Sequence, residues 1–298
     1  MSSVPNSELR PFAIKNALVV DADPEINALL SSLLDPGSWA VQHAPDNLGA
    51  LALARKKAFD LIVTSAKTSG REDIELLRRI RMTRPHTRLI ILAGESTPAD
   101  VITSMRERAF SYFSQPFSLD ALAAMIRIAT EGPSWDDGIE VISATPEWIQ
   151  IQARCDLKTA DRLVQFLNEI ADLPEPEKNQ VAMAFREMLL NAIEHGGQLD
   201  PSKYVDIEYV RARHMVTCRI SDPGPGFTLD EIPHAAIANP DDEPIRHLAV
   251  REEQGMRPGG FGVLLAQKLV DELIYGQYGN EVLLVKYLDS AKPTDSRP

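Results

Sequence analysis

Cysteine is almost missing from this chain of 298 residues, which contains only Cys155 and Cys218. Two distant cysteines cannot form a disulfide framework, and they lack the Cys-x-x-Cys spacing of a zinc site. Long apolar runs are missing too: none reaches the roughly 20 residues of a membrane-spanning helix, and the N-terminus MSSVPNSELRPF lacks the apolar core of a signal peptide. These absences predict a soluble, cytoplasmic protein with no membrane partner.

Positive charge is scarce as well. The formal net charge is −12, the isoelectric point is near 5.0, and no cluster of lysine and arginine interrupts the acidic average. Because a nucleic-acid partner requires a basic face, we expect no nucleic-acid ligand. The length exceeds what one average domain needs and predicts two domains.

Residues 13–130 alternate short apolar runs with amphipathic segments, the pattern of an α/β domain with a doubly wound, five-stranded parallel sheet. The predicted strands are 17–20, 39–43, 60–64, 88–92 and 110–113, and the predicted helices are 24–34, 47–57, 72–83, 98–108 and 118–129. Residues 131–139, EGPSWDDGI, are rich in turn formers and predict a linker. Residues 1–12 and 291–298 are expected to be flexible tails.

Residues 140–290 predict a second domain, an α/β sandwich. A strand pair around 140–154 precedes two helices, and later segments alternate like strands on either side of one more helix. The predicted helices are 158–171, 177–195 and 259–273, and the predicted strands after the first pair are 204–212, 214–221, 273–278 and 281–288. Gly279-Asn280 is typical of a hairpin turn between the last two strands.

The segment FREMLLNAIEHGG, residues 185–197, carries the most chemical information. Glu187 and Asn191 are four residues apart, so they share one face of a helix whose other positions are mostly apolar. An acid and an amide placed this way can hold a divalent cation and a water or hydroxyl, although a solvated helix edge has the same composition. His195, one turn further on, is typical of a capping or packing residue.

Two glycine-rich segments follow in the order that a nucleotide site needs. Asp222, at a strand end, can accept a hydrogen bond from an exocyclic amine such as that of adenine, and Gly224 and Gly226 allow close approach of the backbone. The backbone amides of Gly259, Gly260 and Gly262 open a helix, where phosphate oxygens bind well. Alone, each segment is equally typical of a turn or a packing device. Together they predict a nucleotide cradle with a lid over 228–258.

These three segments resemble the asparagine box and the two glycine boxes of the histidine-kinase-like ATPase (GHKL) superfamily, with its Bergerat-type fold, and most closely its anti-sigma-factor serine kinases. The resemblance implies ATP and Mg²⁺ as cofactors, Glu187 as general base, Asn191 as the magnesium ligand and Asp222 as the adenine acceptor. It also implies that the remaining glycines bind the nucleotide: Gly224, Gly226, Gly259, Gly260 and Gly262. Many relatives have lysine where this chain has Glu194, so Arg251 or Arg257 is expected to supply the missing positive charge.

The first domain resembles the receiver domain of response regulators over about 115 residues, through VVDADPEI, FDLIVTSAKTSGREDIELLRRIR and YFSQPFSLD. The chemistry differs, because Ser65 stands where a receiver has its phosphoaccepting aspartate. Ala22, Ala93 and Gln115 replace an acid, a hydroxyl residue and a lysine. Acyl-phosphate formation needs those groups. We therefore predict a pseudo-receiver for dimerisation, partner docking or restraint of the ATPase; Ser65 is either a site of modification by another kinase or a small residue closing a strand.

No histidine lies between His86 and His195, so the chain lacks the phosphoacceptor histidine that a sensor kinase carries just before its ATPase domain. Direct transfer to a protein hydroxyl, non-hydrolytic binding and action on another protein's histidine remain open. The leading hypothesis is a serine/threonine protein kinase of the partner-switching type that binds a sigma factor and phosphorylates a STAS-type antagonist. The alternative is a non-catalytic, ATP-gated protein-binding module. A homodimer is compatible with either hypothesis.

Overall fold

The computed structural model describes residues 14–21, 23–131, 138–171, 173–227, 235–240, 243–253 and 260–288. Among these, the chain divides into two compact units. The first unit holds residues up to Glu95 and those from Phe113 to 131, and the second holds Ser96–Tyr112 and everything from 138 onward. Most of the predicted linker, residues 132–137, lies outside the described residues, so the domain boundaries stay predictions.

A five-stranded parallel sheet forms in the N-terminal half, with strand order β2-β1-β3-β4-β5, and confirms the predicted doubly wound α/β fold. Its middle strands are buried throughout, as expected for a parallel sheet covered by helices. The strands are β1 (Lys15–Val20), β2 (Trp39–Ala44), β3 (Leu61–Val63), β4 (Arg88–Ala93) and β5 (Ser111–Ser114). The flanking helices are α1 (Pro24–Leu33), α2 (Asn47–Lys56), α3 (Gly70–Arg81), α4 (Pro98–Arg106) and α5 (Leu119–Thr130).

Side-chain caps set where these helices begin. Each of the five has an N-cap residue whose side chain accepts a hydrogen bond from the backbone of the first turn. The α3 helix begins at Gly70, two residues before its predicted start, because Ser69 and Glu72 form a capping box. The capping residues are Asp23, Asp46, Ser69, Thr97 and Ser118.

The C-terminal half contains a six-stranded antiparallel sheet in the order β10-β11-β9-β8-β7-β6. Alternate residues of β7, β8 and β9 are buried, so one face of this sheet packs against helices and the other is open. The strands are β6 (Ile139–Ala144), β7 (Trp148–Arg154), β8 (Tyr204–Arg211), β9 (Met215–Ser221), β10 (Glu272–Tyr275) and β11 (Glu281–Tyr287). The predicted α/β sandwich is confirmed.

Three helices cover the packed face, and a fourth lies within the segment predicted to be a lid. They are α6 (Leu157–Ile170), α7 (Glu175–Asn191), α8 (Arg246–Glu253) and α9 (Gly262–Leu269), of which α6, α7 and α9 contact the sheet. The sequence did not predict α8. The α9 helix is shorter than its predicted span 259–273, because the chain turns extended at Val270 and enters β10. No described helix is both long enough and apolar enough to span a membrane.

Candidate functional site

A cleft of about 310 Å³ opens beside the C-terminal end of α7. Its walls come from α7, from the turn after β9, from the start of α9 and from the β10–β11 hairpin. Five residues predicted for the nucleotide site line this cleft: Asn191, Asp222, Gly226, Gly260 and Gly262. The structure thus brings together residues that are far apart in the sequence. Asn191 and Gly262, which are 71 positions apart, both line the cleft.

The motif acid and the motif amide meet the start of α9 at Gly262. A Cβ atom built on Gly262 would lie 2.8 Å from Glu187 Oε2 and 3.8 Å from Asn191 Nδ2. The start of α9 therefore lies in close contact with the Glu187 carboxylate and within van der Waals distance of the Asn191 amide. Phe261, the N-cap residue of α9, makes no side-chain capping bond, so its side chain does not occupy the first backbone amides of the helix.

The α7 helix holds these groups because its apolar face is anchored in the core. Phe185, Met188 and Leu189 are buried, whereas Glu187 and Asn191 are half-buried. After Asn191 the helix continues as a π-helical turn, Ala192–Gly196. Such turns widen a helix and occur often at functional sites. Within this turn Glu194 and His195 are exposed, and His195 lies on the cleft wall.

The carboxylate of Asp222 packs directly on the end of that π-helical turn. A Cβ atom on Gly196 would lie 2.1 Å from Asp222 Oδ1, far inside contact distance. Asp222 Oδ1 accepts a hydrogen bond of 2.8 Å from the backbone N–H of Gly224, and the backbone N–H of Asp222 donates to Asn280 O at 2.9 Å. Burial raises the pKa of Asp222, while the bond from Gly224 lowers it. Asp222 is therefore a fixed, partly desolvated acceptor.

Gly226 is required by the backbone path of the loop after β9. Its φ is +81°, and a Cβ atom there would lie 1.7 Å from the carbonyl oxygen of Tyr278. The next residue, Phe227, donates its backbone N–H to the same carbonyl at 3.1 Å. The first glycine segment is thus bonded to the β10–β11 hairpin rather than forming an isolated turn.

Sequence reasoning missed several residues of this site. Gly196 was part of the motif segment but was not assigned to the site, and Asn280 was assigned only to a hairpin turn. Asn280 carries the backbone bond to Asp222, and its side chain lies 3.4 Å from Asp222 O. The apolar wall includes Phe227 and Tyr275, whose rings meet edge to face at 5.3 Å. The adjacent pair Gly196-Gly197 was a usable signal for close packing; the aromatic wall had none.

Charge around Glu187 comes from α6 and α7. Arg186 NH1 lies 3.8 Å from Glu187 Oε1, and Arg186 NH2 lies 3.6 Å from Asp161 Oδ1 on α6. These groups are substantially exposed, so each ion pair contributes little to stability. Gly259, Arg257 and the side chain of Arg251 lie outside the described residues. The source of positive charge near a triphosphate therefore stays a prediction.

No group of three or more histidine, cysteine, aspartate or glutamate side chains suited to a metal ion occurs in the described part of the chain. The residues at the cleft fit a magnesium ion only if water and substrate phosphates supply part of its coordination shell. The amide oxygen of Asn191 is a suitable hard ligand, and Mg²⁺ commonly takes its other ligands from water and substrate phosphates.

The predicted pseudo-receiver site is filled by its own side chains. Ser65 follows β3 and is 2% exposed. Its hydroxyl donates to Asp21 O at 3.2 Å and accepts from the backbone N–H of Lys67 at 3.1 Å. Lys67 Nζ lies 3.1 Å from Asp21 Oδ2, so an ammonium group neutralises the nearby acid. This burial supports Ser65 as a small residue that closes a strand end rather than a site of modification.

The first unit also contains a buried acid that the sequence did not predict. Asp73, on α3, is fully buried and accepts hydrogen bonds from Asn47 Nδ2 at 2.8 Å, Thr64 Oγ1 at 2.9 Å and Thr68 Oγ1 at 2.9 Å. Desolvation raises the pKa of Asp73 to about 6, and the bonds from Asn47, Thr64 and Thr68 oppose that rise. Its partners hold the loop after β3, so Asp73 stabilises the surroundings of Ser65.

Comparison with known proteins identifies both halves. Residues 17–127 match the model of the response regulator receiver domain, and residues 152–286 match that of the histidine kinase-like ATPase domain. The transcriptional regulatory protein TrcR of Mycobacterium tuberculosis is 30% identical over 110 residues, which are 37% of this chain and 43% of TrcR. CpxR of Klebsiella pneumoniae is 28% identical over 136 residues, or 46% of this chain and 58% of CpxR. The chain spans about half the length of the curated relatives it matches.

Solved structures similar to the chain include the chemotaxis protein CheY4 of Vibrio cholerae. It is 25% identical, and the match covers 39% of this chain and 98% of CheY4 with a TM-score of 0.33. A receiver domain protein of Methanospirillum hungatei is 24% identical, with coverages of 39% and 92% and a TM-score of 0.34.

The chain thus carries a receiver fold and an ATPase fold. Specifically, it joins a response regulator receiver domain on its N-terminal side to a histidine kinase-like ATPase domain on its C-terminal side. The predicted receiver domain and the predicted histidine-kinase-like ATPase domain are confirmed, whereas the resemblance to anti-sigma-factor serine kinases stays a prediction.

Proposed function

We propose that the protein binds ATP with Mg²⁺ and is a serine/threonine protein kinase of the partner-switching type, acting beside a receiver domain that cannot be phosphorylated. Its substrate is a small antagonist protein of the STAS type, and its regulatory partner is a sigma factor. The observation that carries the proposal is the meeting of Glu187, Asn191 and the start of α9 at Gly262, on the rim of the cleft that holds Asp222.

Each residue has a distinct task in this proposal. Asp222 accepts a hydrogen bond from the exocyclic amine of adenine, and the free amides at the start of α9 bind phosphate oxygens. Asn191 orients the magnesium that, when bound, neutralises charge on the transferred phosphoryl group. Glu187 removes the proton from the acceptor hydroxyl, a contribution of about 10²–10⁴-fold for a general base. Holding donor and acceptor in line supplies most of the remaining acceleration.

The phosphoryl acceptor is placed on another protein because this chain lacks two groups that could accept the phosphoryl group. No histidine precedes the ATPase domain within reach of a helical hairpin, since none lies between His86 and His195. Ser65 has its hydroxyl engaged with Asp21 and Lys67, so the receiver offers no carboxylate or free hydroxyl at that position. A phosphoryl acceptor on another protein follows, and the receiver serves as a docking domain.

A second candidate function is an ATP-gated binding module without transfer activity. One observation favours it: the carboxylate of Glu187 lies 3.8 Å from the guanidinium of Arg186, a contact that competes with an acceptor hydroxyl for that carboxylate. In this case nucleotide binding would change the surface around 228–258 and expose a docking face.

Radiolabelled ATP, magnesium and a panel of STAS-type proteins separate the two functions. We expect label on a serine or threonine of a panel member with the wild type, and with Glu187→Ala a loss of transfer but retained ATP binding. Glu175→Ala, an exposed acid in the first turn of the same helix, is the matched control and should transfer normally. Normal transfer by Glu187→Ala would remove the general-base assignment, and ATP binding without transfer to any protein would favour the binding module.

A further inference from the structure

The cleft contains a hydroxyl group that none of the sequence motifs explains. Tyr275, on β10, lines the cleft, and its hydroxyl donates to the thioether sulfur of Met188 at 3.5 Å. A thioether is a weak acceptor, so this contact satisfies the half-buried phenol poorly. Burial also raises the pKa of Tyr275 to about 12, which keeps the phenol protonated and able to donate.

The position of this hydroxyl is fixed by regular structure. Tyr275 pairs with Val282 across the β10–β11 hairpin, and its ring meets Phe227 edge to face at an interplanar angle of 73°. Met188 belongs to the buried face of α7, one residue after the motif acid. A strand, a helix and an aromatic neighbour therefore hold the donor in place before any ligand arrives, which reduces the ordering that binding requires.

Among the polar residues that line the cleft, which include Asn191, His195 and Glu281, two form a complementary acceptor and donor pair. Asp222 supplies an acceptor, and Tyr275 supplies a donor. Adenosine matches this pair, because its exocyclic amine donates while its ring nitrogens and ribose oxygens accept. The guanine edge presents a carbonyl in place of the amine, so it is mismatched to Asp222.

We infer that Tyr275 is a specificity-determining residue, whose hydroxyl leaves Met188 and donates to an acceptor atom on the nucleoside part of the bound nucleotide. The inference rests on the proposed function, because it requires that the cleft binds ATP. The same donor chemistry serves a ring nitrogen of the base or an oxygen of the ribose, and the test distinguishes these two acceptors.

Tyr275→Phe keeps the ring and removes only the hydroxyl. The full-length variant should bind ATP about 3- to 10-fold more weakly by calorimetry, as expected for one neutral hydrogen bond. Tyr287→Phe is the matched control, because that hydroxyl bonds to Glu272 and does not line the cleft. If 2′-deoxy-ATP shows the same loss, the acceptor is on the base; if 2′-deoxy-ATP binds both proteins equally, it is the ribose 2′-oxygen.

Several outcomes separate failure of the inference from failure of the proposed function. If wild type and Tyr287→Phe bind ATP but Tyr275→Phe binds it equally well, Tyr275 has no such role. If the wild type binds no ATP, the proposed function itself is wrong. Met188→Leu removes the competing sulfur at similar volume and provides a check that does not depend on the folding of Tyr275→Phe. It should bind ATP at least as tightly as wild type, and a clear loss of affinity would contradict the exchange of partners.

Discussion

Gly196→Ala is the sharpest test of how the cleft is built, because it adds one methyl group at the contact between the π-helical turn and Asp222. The backbone of Gly196 is not in the left-handed region, so alanine adopts its conformation without strain. The whole effect then comes from the clash. The new Cβ atom would lie 2.1 Å from both Asp222 Oδ1 and Asp222 Cγ.

The size of the effect follows from this distance. A nonbonded carbon–oxygen contact needs more than about 3 Å, so Asp222 or the turn must move by about 1 Å. A displacement of that size removes the hydrogen bond between Asp222 and adenine. Hydrogen bonds to charged groups contribute about 1.5–3 kcal/mol, which corresponds to about a 10- to 150-fold weaker binding of ATP.

Calorimetric titration with ATP measures this loss, and thermal unfolding without nucleotide shows whether the fold survives. Gly37→Ala is the control substitution, because its Cβ atom would meet only the side chain of Asp35, at 3.2 Å. It should bind ATP like the wild type. An unchanged ATP affinity in a folded Gly196→Ala protein would refute the assignment of Asp222 as the adenine acceptor at this contact.

Two further predictions concern titratable groups. Asp222→Asn exchanges an acceptor oxygen for an amide that donates, so ATP should bind at least about 10-fold more weakly. Because burial raises the pKa of Asp222, the ATP affinity of the wild type should also fall on acidification, starting at a pH above the ordinary aspartate range. The Asp222→Asn variant should lack this pH dependence. Asp73 has a folded pKa of about 6 against 3.8, so the folded state holds the proton more tightly and stability falls as pH rises through that window. Between about pH 4 and pH 7 the unfolding free energy of wild type should drop by about 3 kcal/mol more than that of Asp73→Asn, as measured by denaturant titration; equal pH profiles would show that Asp73 titrates normally.

The fold of both halves was predictable because local sequence and burial agree. The run LIV of β3 is fully buried, as an uninterrupted apolar strand in a parallel sheet should be. The start of α4 follows the capping residue Thr97, so local hydrogen bonding marks it in the sequence. The face shared by Glu187 and Asn191 also follows from helical spacing alone.

The rest of the site depends on contacts between distant segments. The packing of Gly196 against Asp222 and the edge-to-face pair of Phe227 with Tyr275 are separated by 26 and 48 residues, and no local pattern encodes either. Asp73 also escaped prediction, since an acid near a helix start is usually an exposed residue that favours the helix dipole. Here the Asp73 side chain is buried, and three neutral donors replace water.

The way in which polar groups are satisfied distinguishes the two halves of the chain. In the first, the Ser65 hydroxyl both donates and accepts a bond, and Lys67 meets Asp21. Polar groups that are fully partnered within the fold stabilise it and have little left for a ligand. In the cleft, Asp222 receives its described bond from one backbone amide, and Tyr275 donates only to a sulfur among the described contacts. A ligand can improve the bonding of a partly satisfied acceptor and donor, so phosphoryl chemistry is expected at the cleft. The receiver domain is expected to act by binding.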